Sequence, residues 1–420
     1  TSKLHMPKMN KRVSEQDSLD IMKIKCIFPV SFPEGGGGTA MMLQNAKGIV
    51  AAGFDVEILI PRSTERKGDS RNLHTEGIYQ GIAFKYLVKS VTRPATLIGR
   101  YINFIFGLVN LFGYLRKSNE DSQLGPVIIK GPLDGITLLL YVMIVKFTGL
   151  KCIYNFDDFP DYILFPNKSS ILDKFLAERV AFRLFDGFIV ISTALKNFVK
   201  DVVPDSKPVY LLPMTVDPTR FDSVDNSILT PENYILYSGF DYNPGSQFSS
   251  KDGLLGLISS FSKIVDRFSG LLLVIIGENH SVYHEHVKNL GISEKVVFLG
   301  VRNRMEVTAY QKNARMLVLP RPWSKQAEGG FSSKLGEYLL TGKPVLITSV
   351  GDASLYLENM EEACFALPGD EEDFREKMEF LLNNSEIANE IGENGRKAAL
   401  GKFNHLVEGK KLAPFLLSFC

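Results

Sequence analysis

From residue 24 to residue 349 the chain alternates short apolar runs with helix-length runs, and this alternation leaves few folds open. Apolar runs of strand length lie at 24–29, 55–60, 127–130, 152–156, 187–191 and 209–212. A second series lies at 234–239, 271–277, 296–299, 316–320 and 344–349. Between them stand helix-length segments, among them 40–52, 135–148, 171–185, 193–199, 253–268, 282–290, 304–313 and 333–341. Strand, crossover helix and next strand in succession build parallel sheets with helices on both faces. The stretch from Asp217 to Asn233 is polar and turn-rich, which marks a boundary. A chain of 420 residues is long for one core, so two domains are expected. The expected organisation is α/β with two Rossmann-like domains. Residues 1–21 form a flexible start, in which 1–6 read as a cloning remnant. Residues 22–216 form the first domain and 217–400 the second, and the apolar tail 401–420 packs back toward the first.

Composition narrows the partners. The 48 basic and 47 acidic residues leave a net charge of +1, which argues against nucleic acid as the main partner. The four cysteines (Cys26, Cys152, Cys364 and Cys420) are scattered and form no Cys-x-x-Cys or Cys/His cluster. Neither a zinc site nor a disulfide frame is expected, and a reducing, cytoplasmic setting fits. The run 136–145 is well short of a bilayer span and reads as a buried helix. The segment 95–115 is amphipathic and aromatic, with Arg93, Arg100, Arg116 and Lys117 at its flanks. It reads either as a core helix or as an interfacial helix on an anionic membrane.

In open α/β sheets, ligands bind beyond the carboxyl ends of the strands, so the loops there are the candidates. Residues 33–39 are a four-glycine turn opening a helix, without the G-x-G-x-x-G spacing of a dinucleotide site and without the lysine of a Walker motif. Asp157, Asp158 and Asp161 follow a buried strand. They suit sugar hydroxyls or base chemistry, or serve as turn caps. Lys251 follows a long polar loop and precedes a helix, a poor place for a cation unless an anion sits nearby. Arg321 ends another strand. Trp323 suits stacking on a sugar or base, or anchoring its loop. Residues 328–348 carry most: a glycine-rich turn, a helix start, Gly342-Lys343-Pro344 and a buried strand. A helix start offers unpaired N–H groups to a diphosphate. Lys334 and Glu337, three apart, share a helix face, a cation for phosphate beside a carboxylate for ribose.

These residues resemble GT-B-fold retaining glycosyltransferases of the large family 4 (glycosyl transferases group 1). The resemblance covers nearly everything from Met22 to Phe403. It rests on Tyr237-Ser238-Gly239 with Lys251-Asp252-Gly253, Val274 to Glu278, Val297 to Gly300, Leu319-Pro320, Gly330 to Glu337, Gly342 to Val345, and Leu212 to Asp217. It implies two facing domains and transfer of a sugar from a nucleoside-diphosphate-sugar, without a metal or other cofactor. Glu337 then binds the ribose, Gly239, Gly330, Phe331 and Ser332 approach the sugar and diphosphate, and Lys251 holds the diphosphate, joined by Lys334 or Arg321. Val301 and Arg302 lie where the base is contacted, and Gly37 and Gly38 match the glycine loop that closes on the donor.

Three positions depart from the family pattern. Gly329 stands at the first glutamate of its Glu-seven-residues-Glu motif, with Glu328 displaced by one. Phe240 replaces an arginine. Asp157 and Asp158 stand where a histidine is common. The expected catalytic group is Lys251, Asp157, Asp158 and Glu328. The expected acceptor is a sugar or lipid-linked sugar in bacterial surface polysaccharide or glycolipid assembly, at the inner membrane face. A non-catalytic nucleotide-sugar sensor on the same scaffold is the alternative.

Overall fold

The computed structural model describes residues 21–420, apart from 69, 121–122, 132, 165–169, 205, 223, 226, 240–250 and 278–279. Two sheets form, one per lobe. The first lobe contains β1 (Lys23–Ile27), β2 (Asp55–Ile60), β3 (Glu76–Tyr79), β4 (Ile82–Tyr86), β5 (Leu124–Lys130), β6 (Cys152–Phe156), β7 (Gly187–Val190) and β8 (Val209–Leu211). Their order across the sheet is β3-β4-β2-β1-β5-β6-β7-β8. The second lobe contains β9 (Tyr234–Ser238), β10 (Leu272–Ile276), β11 (Val296–Gly300), β12 (Met316–Leu319), β13 (Val345–Thr348) and β14 (Cys364–Ala366), ordered β11-β10-β9-β12-β13-β14. This is the expected doubly wound α/β architecture, with the order reversing beside β1 and beside β9.

Both sheets are parallel except at one edge. There β3 pairs antiparallel with β4 through a turn in which Gln80 and Gly81 both have positive φ (49° and 84°). The sequence reading had placed no strand in that stretch and expected parallel pairing throughout. The pairing Cys26↔Ile128 and Cys26↔Ile58 sets the register around β1.

Alternation of buried side chains explains why the sheet needs two covers. Cys26, Ile58, Ile60 and Ile128 face one layer with Met42, Ala46, Leu412 and Leu416, while Ile27, Leu59, Val127 and Ile129 face another with Leu138, Tyr141 and Val145. Burial pushes the Cys26 thiol up to about 12 and that of Cys364 to about 11, away from the thiolate form a nucleophile needs.

The helix His405–Leu417 returns to the first lobe, as expected of the tail. It meets the helix Gly37–Ala51 backbone to backbone. A Cβ at Gly409 would lie 2.0 Å from the Gly48 carbonyl oxygen, and one at Gly48 would lie 2.4 Å from that of His405. The chain crosses between lobes twice, and the two crossings touch: the Val216 N–H donates to Phe403 O (2.8 Å) and the His405 N–H to Val216 O (3.1 Å).

Candidate functional site

One cavity of about 490 Å3 lies in the cleft between the lobes, at the carboxyl ends of both sheets. From the first lobe it is lined by Gly37 and Gly38, Lys130 at the end of β5, and Asp157 and Asp158 after β6. From the second lobe it is lined by Lys251, Asp252, Arg321, Gly330, Phe331, Ser332, Ser333 and Lys334. Residues predicted from segments almost three hundred positions apart thus share one space.

Two helix starts open on it. Helix Gly37–Ala51 begins after Gly36 and helix Ser333–Leu340 after Ser332, and neither cap residue's side chain satisfies the first amides. Such amides carry partial positive charge and suit an anion. The glycines keep the first of these starts accessible, since a Cβ at Gly36, Gly37 or Gly38 would meet nothing within 4 Å among the described residues. At Gly35 the requirement is different: a Cβ would lie 2.2 Å from Thr39 Oγ1, whose hydroxyl donates to Ser31 O at 2.8 Å.

Three cations of the second lobe add to this positive field. Lys334 pairs with the buried Asp252, which also accepts from Tyr237 Oη at 2.7 Å. Burial alone would raise the Asp252 carboxyl, but Lys334 and Arg321, with those hydrogen bonds, hold it below the ordinary range. Arg321 is only 5% exposed, and its Nε has no partner among the described residues. Burial lowers its guanidinium against the pull of Asp252 and Asp158. Lys251 faces Asp158 across the cleft, Nζ to Oδ2 3.6 Å. Burial raises the Asp158 carboxyl, and Lys251 offsets part of that rise.

Lys130 was not singled out in the sequence. It is 1% exposed and holds the Asp157 carboxylate by a short ion pair at the floor of the cavity. The signal existed in principle, because a lysine ending a fully buried strand needs a charged partner. Arg220 was likewise missed. It leaves the crossing segment to pair with Glu337, Nη1 to Oε1 2.8 Å, while Gln311 Nε2 donates to the other carboxylate oxygen at 3.4 Å.

The remaining predicted residues divide. Gly239 stands beside Lys334, for a Cβ there would lie 2.3 Å from its Nζ. Gly239 and Gly300 are neighbours of Gly277 at the ends of β9, β11 and β10, and Val301 and Arg302 follow there on the exposed surface. Glu337 lies one turn along from Lys334, off the cavity wall. Glu328 is not brought to the cavity: it pairs with Lys325 at 2.9 Å on the outer side of helix Lys325–Gly329, and Gln326 lines the wall instead. A local shift does not rescue the missing glutamate either. The space a side chain at Gly329 needs is filled by Phe159, 2.4 Å from such a Cβ, and Ser192 Oγ donates to Gly329 O at 2.5 Å.

Trp323 is exposed and does not line the cavity. Residues 240–250, with Phe240 and the lid loop, and Glu278 and Asn279 lie outside the described residues. Among the described residues no group of three His, Cys, Asp or Glu is placed to hold a metal ion.

Residues 226–398, most of the second lobe, match the family Glycosyl transferases group 1. Over 253 residues the chain is 24% identical to the capsular polysaccharide biosynthesis glycosyltransferase CapM of Staphylococcus aureus, covering 58% of this chain and 65% of CapM. It is 23% identical over 219 residues to N-acetyl-alpha-D-glucosaminyl L-malate synthase of Bacillus anthracis, covering 52% of this chain and 56% of that one. The matched segments therefore span less than two thirds of these curated relatives. In fold, the chain is similar to sucrose-phosphate synthase from Thermosynechococcus elongatus, with TM-score 0.70 and 13% identity over 94% of this chain and 98% of that one. It is also similar to HepE of Anabaena, solved with UDP and glucose, with TM-score 0.67 and 15% identity over 94% and 100%. The GT-B arrangement expected from the sequence is the fold observed.

Proposed function

From a chain with the GT-B fold whose second lobe matches glycosyl transferases group 1, we infer a retaining glycosyltransferase that moves a sugar from a nucleoside-diphosphate-sugar to an acceptor hydroxyl. The observation that carries this reading is the convergence of Lys251, Arg321 and two uncapped helix starts on one interlobe cavity. The bond that breaks joins the sugar C1 to a diphosphate oxygen, so negative charge grows on the leaving group, and catalysis requires groups fixed to receive it. Arg321 Nε, buried and without a partner among the described residues, and the amides of residues 331–333 at the helix start are such groups. Each charge-assisted hydrogen bond contributes roughly 1.5–3 kcal/mol.

The new bond joins C1 to the acceptor oxygen, and the acceptor proton passes to the leaving phosphate oxygen. Asp157 accepts a hydrogen bond from the acceptor hydroxyl and orients it. Its ion pair with the buried Lys130 fixes the carboxylate in place, so that it orients the hydroxyl while the leaving group takes the proton. No step calls for a metal. Closure of the two lobes excludes water and aligns the partners. Since HepE was solved with UDP and glucose, uridine diphosphate is the first donor nucleotide to try.

Calorimetry with UDP, GDP and ADP and their glucose conjugates tests this on the native chain, Lys251→Ala and Glu337→Ala. Binding of one nucleotide series that weakens in both variants supports the reading. Affinity unchanged in both variants for every nucleotide overturns it. Nucleotide release with an acceptor extract, absent in Glu337→Ala, separates the enzyme from a sensor on the same fold.

A further inference from the structure

The helix Leu97–Ser118 carries a stripe of seven apolar side chains that no other described part of the protein covers. Leu97, Ile98, Tyr101, Ile102, Ile105, Phe106 and Val109 are all exposed, Leu97 to 79% and Phe106 to 61%. Their spacing keeps them on one face of the helix. The opposite face is committed to the first lobe. Gly107, Leu111 and Leu115 are buried, Asn110 Nδ2 donates to Leu87 O at 2.7 Å, and a Cβ at Gly107 would lie 1.7 Å from Pro61 O. The helix is long and apolar enough to cross a membrane, but a helix docked this closely along a lobe lies on a surface instead. The core-helix reading of this segment does not hold, since most of it faces outward.

Charge marks the surface that fits. Arg93 and Arg100 flank the start of the stripe, and Arg62 and Arg66 are near enough that their repulsion, with Arg100, adds to burial in lowering the Arg93 guanidinium. Arg116 and Lys117 stand exposed at the other end. The acid nearest this group, Glu65, is turned inward to Asn72 and the Arg71 amide. Apolar side chains between basic clusters match a bilayer with anionic headgroups.

The stripe also leads toward the cavity. Phe104, on the same helix, packs on Tyr141 of helix Gly135–Phe147 with ring centres 6.5 Å apart, and Leu138 of that helix lines the cavity. Ile171, Leu172 and Phe175 are exposed on the neighbouring helical segment, whose later residues Ala177 and Phe182 line the cavity.

We propose that the exposed face of helix Leu97–Ser118 seats the first lobe on an anionic lipid bilayer, so that acceptors resident in that membrane reach the cleft from the first-lobe side. The seating argument uses no donor-site residue, so its failure and failure of the glycosyltransferase reading are read separately.

The test is co-sedimentation of the full chain with phosphatidylcholine vesicles, with and without phosphatidylglycerol, alongside calorimetry with UDP. The chain is expected to bind vesicles containing phosphatidylglycerol at least about tenfold better than phosphatidylcholine alone, and to release them as salt rises. The pairs Ile98→Ser with Phe106→Ser, and Arg93→Glu with Arg100→Glu, should each weaken vesicle binding at least about tenfold while leaving UDP affinity unchanged. Failure of the native chain to bind anionic vesicles at low salt overturns the proposal. So does vesicle binding in both paired variants equal to that of the native chain. A dimer in sedimentation velocity that the serine pair dissolves would assign the face to a second copy and overturn it equally.

Discussion

Lys251 and Asp158 come from opposite lobes and face each other across the cleft, with Nζ and Oδ2 3.6 Å apart. Without a donor, the carboxylate of one lobe thus occupies the field that the other lobe's cations provide for a diphosphate. Under the proposed function Asp158 and the leaving group would compete for the same charges, so donor binding would displace or neutralise Asp158.

Asp158→Asn, which keeps the shape and removes the charge, should therefore tighten UDP binding, by up to about fivefold for a partly exposed pair of this kind. Burial raises the Asp158 carboxyl, so the folded state favours its protonated form. The stability this group contributes is complete below the ordinary carboxylate range and is lost as pH rises through the raised value. Diphosphate affinity should gain from the same protonation on acidification, and calorimetry across pH should show that component vanish in Asp158→Asn. Weaker binding in the variant would mean that Asp158 contacts the donor itself.

Arg220 should act on the nucleotide through Glu337. Its guanidinium is mostly buried and pairs with one carboxylate oxygen of Glu337 at 2.8 Å. Glu337→Gln should weaken UDP binding by about 1.5–3 kcal/mol if the carboxylate takes the ribose hydroxyls. Arg220→Met should weaken it less, and should destabilise the fold by about 3 kcal/mol in urea melts, because it leaves a partly buried carboxylate without its cation. Tighter UDP binding in Arg220→Met would instead make the guanidinium a competitor of the ribose.

The pair Lys334–Asp252 predicts an acid-sensitive second lobe. Asp252 is 2% exposed, and its carboxyl is held below the ordinary range. A lowered carboxyl contributes stability above the ordinary range that disappears as pH falls through the lowered value. Lys334→Ala should cost about 3 kcal/mol at neutral pH, since it takes the directly paired cation from a buried carboxylate and leaves only Arg321 and the Tyr237 hydroxyl. The double variant Lys334→Ala with Asp252→Asn should recover much of that loss. Denaturant titrations of the three variants form the cycle that checks it.

Gly409→Ala tests the seam between the returning helix and the first lobe. Its Cβ would fall 2.0 Å from the Gly48 carbonyl, so the two helices must move apart. A loss of about 1–3 kcal/mol and a lower melting temperature are expected. UDP affinity should change little, because Gly48 lies more than two turns from the cavity-lining start of its helix.

Much of this was legible in the chain because α/β order is local. Each buried run of five residues or so, bounded by a turn, announces its own strand. What escaped was either weak locally or set by distant neighbours. The edge strand β3 is four mostly exposed residues, and β14 is three residues long, too short for any periodicity to register. Lys130 and Asp157 meet because β5 and β6 are adjacent, and only the strand order brings them together. Arg220 reads as one more charge in a polar linker until the crossing segment folds against helix Ser333–Leu340. Glu328 stands one residue from a motif position, and that nearness is all the sequence offers for it. Phe159, donated by the other lobe, closes the space at that position, and nothing near residue 329 in the chain announces it.

The two crossings at Val216 and Phe403–His405 give the lobes more than a tether. Strapped side by side by two backbone hydrogen bonds, they define a single axis, and rotation about it is the movement that would leave both bonds intact. The cleft should therefore open and shut like a book on its spine, with little sliding or twisting. Residues far from the spine, such as Gly37 and Lys251, would travel furthest, while Val216 and His405 would barely move.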